Sequence, residues 1–181
     1  MMVGRPVQLV IDKTPARPGE EILHVEDLCV LSHLHKRNAV DHVSFSVRAG
    51  EIVCIAGIDG NGQTELIHGL TGLDKITGGS VTLCGETITH ASIRRRSKNM
   101  SHIPEDRHKH GLVLDFTLEQ NLVLQRYKEP QFQHGGFIRR DAVRAYADRL
   151  IEQFDVRSGQ GAVTIARSMS GGNQQKAIIA R

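Results

Sequence analysis

The sequence predicts an α/β fold built around a phosphate-binding loop, and three neighbouring features lead to that prediction. The segment Glu51 to Ala56 carries an unbroken apolar run, typical of a parallel strand buried on both faces. A glycine-rich segment follows directly, from Gly57 to Gly62. Beyond it, apolar residues recur at helical spacing at Leu66, Ile67, Leu70 and Leu73. A strand, a glycine loop and a helix in this order can hold a phosphate at the helix N-terminus.

Further strands are predicted on either side of this unit. Ile22 to Val30 and Val40 to Val47 alternate polar and apolar residues, and a polar loop through His33 and His35 joins them. We expect these two segments to form an antiparallel β region. Val81 to Cys84 lies between glycines and is predicted to be another short strand.

The pattern becomes helical from Thr117 onward. Thr117 and Gln120 form a predicted capping box. A later helix is predicted to have one apolar face, made of Val143, Tyr146, Leu150, Ile151 and Phe154. This helical region is expected to span residues of about 115–172.

The first residues of the chain differ in composition from the rest. Residues 1–21 carry prolines among charged residues, and they are predicted to be an extended interdomain linker. Residues 22–181 are predicted to be the domain proper. Because the chain has no apolar run near the roughly 18 residues of a spanning helix, any membrane role is expected to depend on a partner.

Composition and charge argue against several other classes. The three cysteines lie far apart and form no CxxC pair, which argues against a disulfide framework or a zinc site. The net charge of +3 is spread along the chain, apart from one basic cluster. That cluster comprises Arg94, Arg95, Arg96 and Lys98. Because no aromatic residues interleave with it, we expect a solvated surface and no nucleic-acid binding.

The glycine-rich segment fits the pattern G-x4-G-K-[ST] at every position but the lysine, which is Gln63. Its candidate nucleotide-binding residues are Gly57, Asp59, Gly60, Asn61, Gly62, Gln63, Thr64 and Glu65. The hydroxyl of Thr64 is the candidate Mg²⁺ ligand. Losing the lysine charge is expected to weaken nucleotide affinity roughly ten- to a hundredfold and to slow phosphoryl transfer further. The alternative is a glycine-rich turn with no ligand.

A second glycine motif lies at the start of another predicted helix. Its sequence is SMSGGNQQK, from Ser168 to Lys176. A hydroxyl and two glycines at a helix N-terminus can present Ser170 Oγ and backbone N–H groups to a phosphate. The motif resembles the LSGGNQQK form of the signature of ABC proteins, with Met169 in place of the usual leucine.

The resemblance extends over nearly the whole chain. Ser44 to Glu51 resembles the strand that precedes the phosphate loop in ABC proteins. Ile103 to Arg107 lies where this family has its Q-loop, with Glu105 replacing the usual glutamine. The phrases GIDGNGQTEL, HIPEDRHKHGLVLDF and SGGNQQKAIIAR resemble the C-terminal half of tandem ATP-binding subunits of simple-sugar and nucleoside importers.

This resemblance implies a P-loop NTPase fold of ABC type. Its parts would be an N-terminal antiparallel β region, an incomplete parallel core sheet and a helical signature subdomain. The implied cofactors are ATP and Mg²⁺. The implied partners are the preceding nucleotide-binding domain of the same subunit, a transmembrane permease and, indirectly, a substrate-binding lipoprotein. The chain would act at the cytoplasmic face of the plasma membrane, in uptake of a nucleoside or simple sugar, with GNGQTE favouring nucleosides.

The resemblance also implies unequal roles for the motifs. Ser170, Gly171, Gly172 and Gln174 would act in trans on ATP held by the partner domain, whereas Gly57 to Thr64 would form a degenerate site. Glu105 would lie near the magnesium ion and the attacking water. The Walker B strand, the D-loop and the switch histidine are expected beyond Arg181, so this segment alone is expected to be inactive.

Other interpretations stay open. A non-transport ABC protein acting on ribosomes would be expected to have a long charged helical linker, and the short proline-bearing segment here argues against it. A nucleotide-binding scaffold without turnover of its own is another alternative. Leu112 to Asp115 resembles a Walker B strand, but it precedes the signature, so Asp115 is expected to be structural.

His33-Leu34-His35 and His108-Lys109-His110 each place two imidazoles on one face, but no third ligand is evident and surface histidines are favoured. The resemblance alternatively places His33 or His35 where ABC proteins stack adenine.

Overall fold

A computed structural model describes residues 14–181 of the chain. Most of the predicted linker at residues 1–21 therefore lies outside the described residues. The chain divides into two compact units, the first ending at Asn99 and the second comprising Met100–Arg181. Among the described residues, no helix has both the length and the apolar character that crossing a bilayer requires.

The first unit contains a four-stranded antiparallel sheet. Its strands are β1 (Glu21–Leu31), β2 (Asn38–Arg48), β3 (Ile76–Leu83) and β4 (Glu86–Thr87), in the order β2-β1-β3-β4. The predicted antiparallel pair is thereby confirmed. Val25 of the central strand pairs with Phe45 on one side and Val81 on the other, and it is fully buried.

Two helices accompany this sheet, α1 (Gln63–Thr71) and the short α2 (Ile93–Arg96). Helix α1 lies against β1 and β2 through Leu66, Gly69 and Leu70. A Cβ atom on Gly69 would come within 2.8 Å of Val30 Cγ2, so this close approach depends on glycine. Ile67 and Leu73 are 37% and 39% exposed, although the helical spacing groups them with the apolar face.

The predicted buried strand at Glu51 to Ala56 is wrong for this structure. The segment lies outside the sheet, and Ile52, Val53 and Ile55 are 95%, 41% and 44% exposed. A strand that is buried on both faces needs hydrogen-bonded neighbours and covering layers. Within residues 14–181 no strand pairs with this segment, and the predicted parallel sheet has no counterpart there.

The second unit is mainly helical. Its helices are α3 (Leu118–Val123), α4 (Arg140–Gln153) and α5 (Gly171–Ala180). It also contains a π-type turn at Arg107–Gly111, 3-10 turns at Gly161–Val163 and Ala166–Ser168, and a small hairpin of β5 (Gln133–His134) and β6 (Phe137–Ile138).

The three helices share one apolar core, which includes the predicted apolar face of α4. Val143, Tyr146 and Leu150 of α4 are buried in it, and Ile151 and Phe154 pack against it while partly exposed. The predicted capping box is also confirmed at the start of α3. Gln120 N donates to Thr117 Oγ1 at 3.3 Å, and Thr117 N donates to Gln120 Oε1 at 2.9 Å.

One member of the basic cluster contradicts the expected solvated surface. Arg96 is only 4% exposed, whereas Arg94, Arg95 and Lys98 are exposed. Its guanidinium donates to four backbone carbonyl oxygens, those of Gly69, Leu70, Thr89 and Ala91. Burial of this cation is tolerated because these oxygens replace the water that it would otherwise bind.

Candidate functional site

The glycine loop leads directly into the first turn of α1. Gly60 and Gly62 both adopt left-handed backbone conformations, with φ of 85° and 88°. Gly62 is the N-cap of the helix, and its carbonyl oxygen accepts from Leu66 N at 2.8 Å. A Cβ atom on Gly62 would lie 2.4 Å from Ala39 O of β2. Both the conformation and the contact with β2 therefore require glycine at this position.

Most of the candidate nucleotide-binding residues are accessible. The exposed ones are Gly57, Asp59, Gly60, Asn61 and Thr64, the half-buried ones are Gln63 and Glu65, and Gly62 is buried. Thr64 lies in the first turn of the nine-residue α1, at the end where backbone N–H groups and the helix dipole favour an anion. Its side chain is therefore accessible beside the open end of the helix.

The side chain of Gln63 folds back over the start of the loop. A Cβ atom on Gly57 would lie 1.8 Å from Gln63 Nε2 and 2.9 Å from Gln63 Cδ. The carboxamide thus lies against the Gly57 backbone, where only glycine leaves room. The loop retains a neutral donor at the position where the motif has a cation, so it lacks that charge for a terminal phosphate.

The second glycine motif also opens a helix, as the sequence predicts. Ser170 is the N-cap of the ten-residue α5, and its Oγ accepts from Asn173 Nδ2 at 2.9 Å. Ser170 and Gly172 are exposed, and Gly171 is partly exposed. The preceding Met169 is buried in the core of the second unit and anchors the segment. Ser170 Oγ and the first N–H groups of α5 are consequently open to a ligand.

Gln174 is placed differently from the other signature residues. Its side chain is only 4% exposed, its Nε2 donates to Ala166 O at 2.9 Å, and its Oε1 lies 3.1 Å from His108 Nε2. Both ends of the carboxamide are therefore occupied inside the unit. The residue lies one turn into α5 on the face that carries the buried Ala177 and Ile178, which explains why it does not reach the surface with Ser170.

Glu105 lies in an exposed polar pocket of about 310 Å³ that Asp106, Arg107 and His108 also line. Asp106 Oδ1 accepts from Lys109 N at 3.0 Å and from His108 N at 2.8 Å. These two hydrogen bonds, Lys109 first, hold the pKa of Asp106 below its usual value. The turn that carries Glu105 is thereby fixed by its neighbour, and the Glu105 carboxylate stays accessible.

The Glu105 turn contacts the signature segment at two points. His108 reaches Gln174, and the Arg107 guanidinium lies so near Gly171 that a Cβ atom there would be 2.9 Å from Arg107 Nη2. Sequence reasoning missed both contacts and treated His108 only as a candidate metal ligand. No local pattern pairs residues that lie 66 positions apart, as His108 and Gln174 do.

Asp115 makes an ion pair on the surface. Its Oδ1 accepts from Arg167 Nη2 at 2.7 Å and from Arg167 Nε at 2.9 Å. Leu112, at the start of the same segment, is buried beside Ala166 and Ile178. This pairing gives Asp115 a role in joining two loops of the second unit.

A groove of about 810 Å³ lies between α3 and α4. Phe116, Tyr127, Ile138 and Val163 line it and are each 39–47% exposed. Glu119 and Arg144, which form an ion pair, contribute charge to its lining. Apolar walls with charged groups are suited to an amphipathic helix from a partner.

Comparison with known proteins identifies related sequences. A family model described as ABC transporter matches residues 40–181. The nucleoside import ATP-binding protein NupA of Lactococcus lactis subsp. cremoris (strain MG1363) is 45% identical over the whole chain. The guanosine import ATP-binding protein NupO of Bacillus subtilis (strain 168) is 44% identical, again over the whole chain. The chain spans only 36% and 35% of the length of these two proteins.

Solved structures show the same fold. The structure of an ATP-binding subunit of an ABC transporter aligns with 88% of this chain and 60% of its own, with a TM-score of 0.65 and 22% identity. A nucleotide-free ATP-binding cassette from an ABC transporter aligns with 89% of this chain and 64% of its own, with the same TM-score and 20% identity. These likenesses confirm the predicted fold class.

Proposed function

The chain belongs to the ABC transporter family, and on that premise we propose that it is a nucleotide-binding part of an ATP-dependent importer. It couples the binding and hydrolysis of ATP to uptake of a nucleoside or a simple sugar. The observation that carries the proposal is the placement of both glycine motifs at open helix N-termini, with Thr64 exposed at α1 and Ser170 exposed at α5.

The transported solute is proposed from the relatives. NupA and NupO, at 45% and 44% identity, are named for nucleoside and guanosine import. A ribose import ATP-binding protein of Caldanaerobacter subterraneus is 36% identical. The higher identity to the first two favours a nucleoside.

The motifs are proposed to serve two unequal sites. Ser170, Gly171 and Gly172 act in trans on ATP held by a preceding nucleotide-binding domain of the same subunit. The loop from Gly57 to Glu65 forms the weaker site, because Gln63 offers a neutral amide to the phosphates. Thr64 holds Mg²⁺ through its hydroxyl, and Glu105 takes the place of the Q-loop glutamine. Coverage of 36% and 35% of NupA and NupO fits a part of one half of a tandem subunit.

Gln174 has a positioning role in this proposal. Its buried carboxamide joins Ala166 O to His108, so it fixes the start of α5 relative to the Glu105 turn. A change at the Glu105 turn would thereby reach Ser170 through Gln174. This differs from the direct contact with ATP that the sequence resemblance implies.

The groove between α3 and α4 is the proposed docking site for a transmembrane permease. Its partly exposed aromatic and aliphatic side chains fit the apolar face of a cytoplasmic helix of the permease. Through this contact the chain would act at the cytoplasmic face of the plasma membrane. A substrate-binding lipoprotein would be an indirect partner, through the permease.

The first test is calorimetric titration of the chain with ATP and Mg²⁺, with Gln63→Lys in parallel. The lysine variant should bind roughly ten- to a hundredfold more tightly, because it supplies a charge-assisted bond to the phosphates. Gln125→Lys adds the same charge at an exposed position in the other unit and should leave the affinity unchanged. Equal, tight binding by the wild-type chain and Gln63→Lys would contradict the assignment of a weak site to this loop.

A nucleotide-binding scaffold without turnover is the second candidate function, and the neutral Gln63 is the observation that favours it. The two candidate functions predict different rates of ATP hydrolysis in the assembled transporter. If the chain completes the active site of a partner domain, Ser170→Ala in the full-length subunit should lower ATP hydrolysis severalfold or more. Unchanged hydrolysis in that variant would support the scaffold.

A further inference from the structure

Three potential metal ligands converge in the first unit. His33 comes from the loop between β1 and β2, His68 from α1, and Asp74 from the loop between α1 and β3. His33 Nε2 lies 2.7 Å from Asp74 Oδ2, and His68 Nδ1 lies 3.2 Å from the same oxygen. The two imidazole rings meet edge to face, with centroids 6.4 Å apart. One carboxylate oxygen therefore faces a nitrogen atom of each ring.

We propose that His33, His68 and Asp74 form a binding site for a transition-metal ion such as Zn²⁺. Imidazole nitrogen favours Zn²⁺, Cu²⁺, Fe²⁺ and Ni²⁺, whereas Mg²⁺ and Ca²⁺ favour sites made of oxygen ligands alone. Two imidazoles and one carboxylate supply three protein ligands and leave one position for water. The proposal does not rest on the transport function, because it concerns only how these side chains meet.

The distances suit a tetrahedral ion. Bonds of about 2.0–2.2 Å in a tetrahedral site place neighbouring donor atoms about 3.3 Å apart. The two measured separations are 2.7 and 3.2 Å, and all three donor atoms lie within 4.8 Å of one another. Entry of an ion therefore requires shifts of the order of an ångström, within reach of side-chain rotation.

Burial differs among the three ligands in a way that suits metal entry. The side chains of His68 and Asp74 are only 18% and 15% exposed, so the helix and the loop after it hold them in place. The His33 side chain is 58% exposed and can move to complete the site. A bound ion would tie the β1–β2 loop to α1 and to the segment before β3.

The fold supplies potential ligands that the sequence around His33 does not show. In the sequence, His33-Leu34-His35 supplies two imidazoles, and no third ligand is evident nearby. In the structure, the partners of His33 are residues 35 and 41 positions away, whereas His35 lies outside the group. His35 is thereby a natural control for His33, since both are exposed in the same loop.

A second group of possible ligands in the first unit is Cys29, Asp41 and His42. Cys29 is buried, and His42 Nδ1 lies 2.7 Å from Asp27 Oδ1, so the ring nitrogen is already paired with a carboxylate outside that group. Metal bound by this second group would contact a thiolate, which gives the two sites different spectra.

Titration of the metal-free chain with Co²⁺, in the presence of excess Mg²⁺, tests the proposal. We expect one Co²⁺ per chain, visible d–d absorption without a thiolate charge-transfer band, and displacement by Zn²⁺. His33→Ala and Asp74→Asn should each weaken the affinity by more than the roughly 10–100-fold that loss of an outer-shell partner costs. His35→Ala and His42→Ala should bind as the wild-type chain does.

Thermal unfolding with and without Zn²⁺ provides a second readout. Zn²⁺ should raise the melting temperature of the wild-type chain and of His35→Ala, because an ion bound to the native state stabilises it. It should not raise that of Asp74→Asn, which lacks one of the ligands. Circular dichroism before titration shows that each variant is folded. Absence of Co²⁺ uptake, or uptake unaffected by His33→Ala and Asp74→Asn, would overturn the proposal. Loss of uptake in His42→Ala alone would move the ion to the second group.

Discussion

Arg96 Nη1 donates to Leu70 O at 2.7 Å, near the C-terminal end of α1. The C-terminal carbonyl oxygens of a helix have no partners within it, and they carry the negative end of the helix dipole. The buried Arg96 guanidinium supplies a donor to Leu70 O. It also donates to Gly69 O at 3.3 Å and to Thr89 O at 2.8 Å. Arg96 thus connects the end of α1 to the segment after β4.

Replacing Arg96 should therefore destabilise the first unit. We expect Arg96→Met to lower the free energy of unfolding by at least about 2 kcal/mol, because several buried carbonyl oxygens lose their donor. Arg95→Met is the matched control: Arg95 is exposed and pairs with Glu86 at the surface, so its loss should change stability by less than about 1 kcal/mol. Urea unfolding measures both, and equal effects would contradict the burial argument.

The two left-handed glycines of the loop should respond differently to alanine. Gly60 and Gly62 have nearly equal φ, so alanine should cost about 1–2 kcal/mol at either from conformation alone. At Gly62 the new Cβ would also overlap Ala39 O, whereas it meets nothing within 4 Å at Gly60. Gly62→Ala should therefore lower the melting temperature clearly more than Gly60→Ala. Similar shifts in both variants would mean that the Ala39 contact relaxes freely.

Gln174 should contribute to stability more than its neighbour in the same motif. Gln174→Leu removes the side-chain donor to Ala166 O, which keeps only the longer bond from Met169 N at 3.2 Å, and it removes the partner of His108 as well, so it should cost about 1–3 kcal/mol. Gln175→Leu changes an exposed side chain and should stay within about 0.5 kcal/mol of the wild-type chain. Chemical denaturation of the two variants separates these expectations. A larger loss in Gln175→Leu would argue against the buried placement of Gln174.

His42 should titrate above its ordinary value of 6.5. The hydrogen bond to Asp27 raises the pKa of His42 most, and the charges of Asp27 and Asp41 raise it further. Because the folded-state pKa is raised, the pair stabilises the fold fully below the unfolded pKa, and this contribution disappears as the pH rises through the folded pKa. An NMR titration of the His42 ring reads the pKa directly.

Two variants make the His42 prediction quantitative. Asp27→Asn should move the pKa of His42 most of the way back to 6.5, and asparagine tolerates the φ of 55° at this position. Asp41→Asn should produce a smaller shift, since Asp41 acts only through its charge. A larger effect from Asp41→Asn would contradict the assigned order of causes.

The groove between α3 and α4 should be sensitive to charge. Tyr127→Glu places a carboxylate among apolar lining residues and should weaken binding to the detergent-solubilised permease of the same transporter at least about tenfold. Phe137→Glu changes a side chain that is 82% exposed in the same unit but does not line the groove, and it should leave binding intact. Loss of co-purification in both variants would argue for a different docking surface.

Local patterns predicted the parts of the fold that depend on neighbouring residues. The β1–β2 pair, the capping box of Thr117 and Gln120, and the apolar face of α4 all follow from alternation, side-chain chemistry or helical spacing. The helix starts at Gln63 and Gly171, which place Thr64 and Ser170 at the surface, were predictable for the same reason.

Long-range pairing accounts for what the sequence pattern did not reveal. Arg96 is buried because it meets Leu70, 26 positions away, and basic clustering alone cannot show that. Gln174 lies on the buried face of α5, and there it meets His108 from 66 positions away. The prediction for Glu51 to Ala56 failed for a related reason. The composition of the segment is that of a buried strand, but strand formation needs partners that composition does not supply.

Exposure of Ile52, Val53 and Ile55 has a consequence for how the chain behaves in solution. A short run of high β-propensity with no proline and little charge is a template for strand addition. Burying any of these side chains against another surface lowers the free energy in proportion to the apolar area removed from water. The segment is therefore expected to promote self-association of this 181-residue chain as the protein concentration rises, and an added strand-forming peptide should suppress it.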